Sequence, residues 1–249
     1  MSLALAAVVA APGLAVGSFL NVVASRVPLH RPIGLERSAC MTCDTQIAAR
    51  DNVPLLSYAL LRGRCRSCSA RIPARYPLVE ALTALLIVAC AVRFGLTPEA
   101  AVSAFFCSVL VAVSAIDIEH RIVPNRIVIP SFVVVLVAQT AIEPSPEWAL
   151  GALGASGFLL AAALVYPAGM GMGDVKLALL LGAMLGRLVT VGLLLGMLFA
   201  LVPAALLAVR YGARARKMAL PFAPYLALGA IVALFAGAPI LDWYLGILH

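Results

Sequence analysis

Charge is scarce in this 249-residue sequence: 12% of its residues are Asp, Glu, Lys or Arg, against 63% that are hydrophobic. A soluble domain carries about a quarter of its residues as charges to keep its surface in water, so an ordinary soluble fold is excluded. Acids are the scarcer sign, 11 against 18 basic residues, for a net charge of +7. That excess does not mark a nucleic-acid partner. The basic residues avoid amphipathic faces and collect in loops between apolar runs, which is the pattern of a topology signal. Histidines number three, and neither His30 nor His120 has a neighbour at metal-binding spacing. No Lys or Arg precedes the first apolar run. Without that basic n-region it reads as a retained span, kinked at Pro12 and Gly13, rather than a signal peptide.

What is abundant is apolar sequence in lengths that suit a bilayer, which a helix crosses in about 20 residues. Such runs occupy 3–25, 77–93, 99–117, 126–142, 148–167, 188–209 and 221–241, with a shorter one at 175–186. From Val175 to Val209 is 35 residues. At about 1.5 Å per residue a single helix there would reach roughly 52 Å, far beyond a hydrocarbon core of about 30 Å. The chain is therefore expected to turn, at Gly186-Arg187. The fold class is all-α, a polytopic transmembrane helical bundle of about eight membrane segments. Placing the amino terminus outside puts 16 of the 18 basic residues in inside loops: nine Arg at 26–76, then Arg121, Arg126, Lys176, Arg210, Arg214, Arg216 and Lys217. Outside loops keep Arg93 and Arg187 beside Glu99, Glu143, Glu147 and Asp242. The opposite orientation would violate the positive-inside rule.

The most polar stretch, 26–76, is expected to be a small cytoplasmic loop domain between a first transmembrane helix, 1–25, and a transmembrane domain, 77–249. Within it Cys40-Met41-Thr42-Cys43 is followed, 21 residues later, by Cys65-Arg66-Ser67-Cys68. Two C-x-x-C knuckles offer four thiolates, the ligand set of a tetrahedral structural zinc site. The residues between them are turn-rich and supply too little apolar material for a core, so the metal would provide folding energy. Redox pairs and disulfides are the alternatives. Cys90 and Cys107, inside apolar runs, read as packing residues.

Two acids stand out against this apolar background. Asp174 follows Gly169-Met170-Gly171-Met172-Gly173, and an acid at membrane depth marks an ion path or a catalytic site. If Arg187 marks the outer surface, 13 helical residues span about 20 Å of a core of about 30 Å, leaving Asp174 roughly 10 Å below the inner surface. Asp117, in Ala115-Ile116-Asp117-Ile118-Glu119-His120-Arg121, ends a span on the same side. Two carboxylates held together share one proton and supply both an acid and a base, which is the chemistry of aspartic proteolysis. Gly171 and Gly173, with Gly169, would permit positive φ and the close approach of a substrate strand. From the residues alone two other readings stay open. Asp117 could be a helix-end residue near Arg121 and Asp174 the N-cap of the next helix, or the pair could be the proton relay of an ion-coupled transporter. Glu80 is expected to bond a neighbouring helix, as are Asn21 and Ser18.

Taken in order, Gly17-Ser18-Phe19-Leu20-Asn21-Val22-Val23 with Arg26-Val27-Pro28, the two knuckles, Arg75-Tyr76-Pro77-Leu78-Val79-Glu80, Asp117 with Ile122-Val123-Pro124-Asn125, Gly171-Met172-Gly173-Asp174-Val175-Lys176-Leu177 and Pro221-Phe222-Ala223-Pro224-Tyr225-Leu226 resemble the type IV prepilin peptidases. The resemblance implies a bacterial inner-membrane aspartic endopeptidase of the G-x-G-D class, with its active site toward the cytoplasm, cutting basic leaders from type IV prepilins and type II secretion pseudopilins. It implies Asp117 and Asp174 as the catalytic pair. Members with the cysteine loop commonly also methylate the new amino terminus using S-adenosylmethionine, and here that assignment rests on resemblance alone, since the polar loop lacks a glycine-rich strand-turn-helix. Ala223 stands where the family usually has Gly, and Met41-Thr42 fill the first knuckle where Pro is usual. The nine Arg of the loop would repel a basic leader, which leaves its recognition to acids such as Asp51, Glu80 or Glu119.

Overall fold

The computed structural model describes residues 3–34, 38–166, 170–212, 214 and 220–247, with the side chains of 3–5 left aside. Gly169, Arg216 and Lys217, named above, lie outside the described residues. Helices account for the fold: α1 (Leu3–Arg26), α2 (Leu56–Leu60), α3 (Arg75–Phe94), α4 (Pro98–His120), α5 (Asn125–Ile142), α6 (Glu147–Val165), α7 (Met172–Leu185), α8 (Val189–Tyr211) and α9 (Ala223–Ile247). No strand occurs among the described residues, only two isolated bridges. Seven helical runs are long and apolar enough to cross a membrane, with 172–211 counted as one of them. That run is broken where the sequence arithmetic placed the turn. Gly186 takes φ 53° and ψ −127°, and a short 3-10 segment, Gly186–Leu188, separates α7 from α8.

The chain forms two compact units, Met1–Ala115 and Ile116–His249. In the first, α1 packs on α3 through Gly13 and Gly17. A Cβ on Gly17 would stand 2.6 Å from the Cα of Glu80, and one on Gly13 would stand 2.9 Å from the Cα of Ala84. Two small residues four apart let the backbones touch, the usual route to association in lipid, where burying apolar surface gains nothing. Asn21 adds a polar tie, its Nδ2 donating to the Tyr76 carbonyl at 3.1 Å. The thiols of Cys90 and Cys107 are buried 4.0 Å apart, consistent with packing residues.

In the second unit α7 is the central element. It packs on α6 and α5, and α8 packs on α9. The α6 contact is again backbone on backbone, since a Cβ on Gly182 would run into the Gly151 carbonyl. Gln139 of α5 donates from Nε2 to the Met184 carbonyl at 3.2 Å, so this buried amide is not left unpaired. Both tryptophans belong to the end of this unit that carries Gly186. Trp148 begins α6 and donates its indole N–H to the Glu143 carbonyl at 2.9 Å. Trp243 lies in the last turns of α9, beyond Gly237, whose Cβ would contact Leu188. Tryptophan concentrates at membrane-water interfaces, and these two mark one such level.

Candidate active site

Asp117 occupies the last turn of α4. The helix stops three residues later because Arg121 adopts a left-handed φ of 54°, with its N–H still bonded to the Asp117 carbonyl at 2.9 Å. Pro124 then forces Val123 toward extended backbone and ends the possibility of continuing the helix. The chain restarts as α5 at Asn125. This short crossing lies over the first turn of α7. Val123 packs against Gly173, where a Cβ would stand 2.8 Å from the Val123 Cβ. Asn125 accepts a hydrogen bond from the Lys176 ammonium at 3.1 Å. The two contacts flank Asp174 in sequence and bring it beside Asp117.

Both acids are buried, Asp117 to 5% exposure and Asp174 to 9%. The two carboxylates are electrostatic neighbours. Asp117 has a further partner far along the chain, for its Oδ2 accepts the backbone N–H of Ala223 at 3.1 Å. Ala223 is the first residue of α9 and fully buried. A helix start has N–H groups without intrahelical acceptors and a partial positive charge, so it is a natural seat for a carboxylate. The Ala found where the family usually has Gly leaves this amide intact. A backbone donor has no side-chain signature, which is why the Pro221–Leu226 stretch could be noticed in the sequence without its role.

Three expectations require correction. Asp174 is not an N-cap: α7 starts at Met172 with Gly171 as N-cap, so Asp174 is the third helical residue, with its carboxylate near the Gly171 backbone. Neither Gly171 nor Gly173 uses positive φ. Gly171 is extended at φ −80° and Gly173 is helical. The glycine at 173 is required because Val123 occupies the space a side chain would fill, whereas a Cβ on Gly171 would make only ordinary contact, 3.5 Å from the Asp174 carboxylate. Glu80 bonds the polar loop rather than a helix, its Oε2 accepting the Leu55 N–H at 2.9 Å. Asp51 is also engaged within the loop, gripped by the Arg66 guanidinium through two bonds of 2.8 and 2.6 Å. That fork holds its carboxyl below the usual range. Glu119 lies 3.7 Å from His120.

In the first unit the four cysteines meet as expected. The sulfurs of Cys40, Cys43, Cys65 and Cys68 all lie within 4.8 Å of one another and can hold a metal ion. The two knuckles repeat one turn. Cys40 N–H bonds the Thr45 carbonyl and Asp44 N–H the Cys40 carbonyl; Cys65 and Ala70, Ser69 and Cys65 repeat the pattern at 2.8 to 3.0 Å. Asp44 and Ser69 take the same left-handed φ, 51° and 57°. Backbone amides of Thr42 and then Cys43 pull the Cys40 thiol down to about 6, and the Thr45 hydroxyl lowers that of Cys43. Against the lowering by the Ala70 amide, the neighbouring thiols and burial push Cys68 up to about 12, so the set favours thiolate at the first knuckle and leaves a proton on Cys68 for a metal to displace.

The family model of the Bacterial Peptidase A24 N-terminal domain matches residues 12–94, and that of the Type IV leader peptidase family matches residues 104–211. A prepilin leader peptidase/N-methyltransferase of Bacillus subtilis (strain 168) is 38% identical over 238 residues, covering 94% of this chain and 95% of the relative. One from Pseudomonas putida is 38% identical over 258 residues, covering 90% and 88%. One from Myxococcus xanthus (strain DK1622) is 40% identical over 192 residues, covering 74% of this chain and 57% of its own. No solved structure matches the chain. The transporter reading finds no support among these matches. A multi-pass membrane protein with this coverage and identity belongs to the type IV leader peptidase family.

Proposed function

We propose that this protein is an aspartic endopeptidase of the bacterial inner membrane. It removes the basic leader from type IV prepilins and type II secretion pseudopilins at the cytoplasmic face, with Asp117 and Asp174 as the catalytic pair. The observation that carries the reading is the convergence of these two buried carboxylates, with the Ala223 amide fixing one oxygen of Asp117. Two acids so close hold one proton between them. The ionised carboxylate takes a proton from the attacking water as it adds to the scissile carbonyl, and the protonated one delivers its proton to the departing amine. Gly171 leaves room beside Asp174 for the substrate backbone, and Gly173 acts by keeping Val123 seated. Supporting the cytoplasmic placement is the charge pattern, with Arg121, Arg126 and Lys176 all near the site's end of the spans.

The functional partition follows the sequence: a first helix at 1–25, a cysteine loop at 26–76 and the peptidase domain at 77–249. The loop would hold zinc through Cys40, Cys43, Cys65 and Cys68. Sulfurs at about 2.3 Å from a tetrahedral zinc stand about 3.8 Å apart, and Cys40 and Cys68 are separated by 3.8 Å. That zinc is structural, supplying folding energy in place of a core. Methylation of the new amino terminus with S-adenosylmethionine belongs to the same reading. The described residues contain no strand and hence no strand-turn-helix nucleotide cradle, so no residue here is assigned to the methyl donor.

Cleavage of a prepilin-like substrate by the reconstituted protein tests the proposal. Asp117→Asn and Asp174→Asn are each expected to abolish leader removal while helix content and bound metal stay unchanged. Full cleavage by either variant would overturn the dyad.

A further inference from the structure

Between α6 and α8, at the end of the second unit that carries Gly186, lies a trough of about 850 Å³. Its walls are apolar, with Leu150, Ala155 and Phe158 on α6 facing Leu193, Leu194 and Met197 on α8. Gly154 opens the middle, since a Cβ there would meet nothing within 4 Å. Arg187 lies at one end with its side chain 76% exposed. Among the described residues its side-chain partner is Glu147, whose carboxylate is 3.9 Å from Nε and also takes the Arg187 backbone N–H at 2.8 Å. A guanidinium has five N–H donors, so this one contact leaves it with capacity for a second anion. Thr190 lines the same end, and its hydroxyl donates to the Arg187 carbonyl at 2.9 Å, which leaves the oxygen able to accept.

Length decides what fits. From Arg187 to Met197 along α8 is about 15 Å, and from Glu147 to Phe158 along α6 about 16 Å, at about 1.5 Å per residue. A hydrocarbon core is about 30 Å thick, so the trough runs from the membrane surface to its midplane. A spanning helix would need twice that length, whereas the acyl chains of one leaflet need just this much. Trp148, at the same level as Glu147, places the polar end at the headgroups.

We infer that the trough is a binding site for a glycerophospholipid of the leaflet opposite the aspartate pair, its acyl chains lying between α6 and α8 and its phosphate on Arg187. The inference rests on the helices being membrane spans and is independent of the peptidase reading. The test is native mass spectrometry and thermal melting of the full-length protein in an alkyl-maltoside detergent with added phosphatidylglycerol, for the parent, Arg187→Ala and Gly154→Leu. One phospholipid is expected to stay on the parent and to raise its melting temperature. Arg187→Ala is expected to weaken retention about tenfold through loss of a charge-assisted contact, and Gly154→Leu to block the chains, with leader cleavage unchanged in both. Equal retention by all three proteins would overturn the site. Stabilisation by inorganic phosphate alone would reduce it to an anion site. Normal lipid retention with a raised KM in Gly154→Leu would make it a seat for the substrate helix instead.

Discussion

Gly173 shows how one hydrogen can be what a site depends on. Its missing side chain is the space in which Val123 lies, and a Cβ would stand 2.8 Å from that of Val123, closer than real atoms approach. Gly173→Ala is therefore expected to push the 121–125 crossing off α7, costing about 1–3 kcal/mol by overpacking and separating Asp117 from Asp174. Because the clash is with the Val123 Cβ itself, Val123→Gly should restore cleavage to the Gly173→Ala protein and Val123→Ala should not. Equal rescue by both would mean that the contact is not the cause. Gly171→Ala meets only ordinary contact, 3.5 Å from the Asp174 carboxylate, so it should fold normally and lose activity through access alone, seen as a raised KM. The sequence pointed to both glycines but gave them the same pair of roles, positive φ and room for a substrate strand. The partner that separates them, Val123, is some fifty residues away and leaves no mark in the local pattern.

Among the elements, the cysteine loop and the α7–α8 break are held by opposite means. The loop has almost no buried core. Its paired turns, the Asp51–Arg66 fork and the Glu80–Leu55 bond leave the four thiols to be closed by metal. Chelation, or Cys40→Ser with Cys65→Ser, should expose 38–72 to protease while the spanning helices keep their circular dichroism. Protons compete for the same sulfurs. In the folded loop the Cys40 thiol lies below the ordinary 9.0 and the Cys68 thiol above it, so metal binding must displace a proton and weakens as pH falls. Metal content measured by pH titration should fall as the solution is acidified; content that is unchanged or rises toward acid would contradict this account. At the break, Gly186 has φ 53° and its Cβ would stand 2.6 Å from the Glu147 carboxylate. Gly186→Ala should destabilise by about 1–3 kcal/mol through forced backbone geometry, readable as a lowered melting temperature.

For the whole molecule, that same break decides where the chain ends. If α7 and α8 each cross the membrane, an amino terminus outside puts the carboxyl terminus outside as well; one continuous span from 172 to 211 would put it inside. An alkaline phosphatase fused after residue 247 should be active, and one fused after Arg210 inactive. The reverse pair of results would require seven crossings. The break was legible in the sequence because 35 apolar residues overrun a bilayer as a single helix. The orientation is an expectation drawn from the basic residues, which collect on one side of the alternation.

The sequence by itself determined the class of molecule and the spans, and it singled out the four cysteines and the two acids that the fold brings together. Each rests on a local signal: apolar length, paired cysteines at fixed spacing, or a charge where lipid makes charge costly. Only the tertiary structure decided how those acids are held. The Ala223 amide on Asp117, Val123 against Gly173 and Lys176 on Asn125 each join residues more than forty positions apart. The groups that make these contacts, a backbone N–H, a missing Cβ and a common side-chain amide, carry no pattern of their own. Their meaning comes from what the fold brings against them.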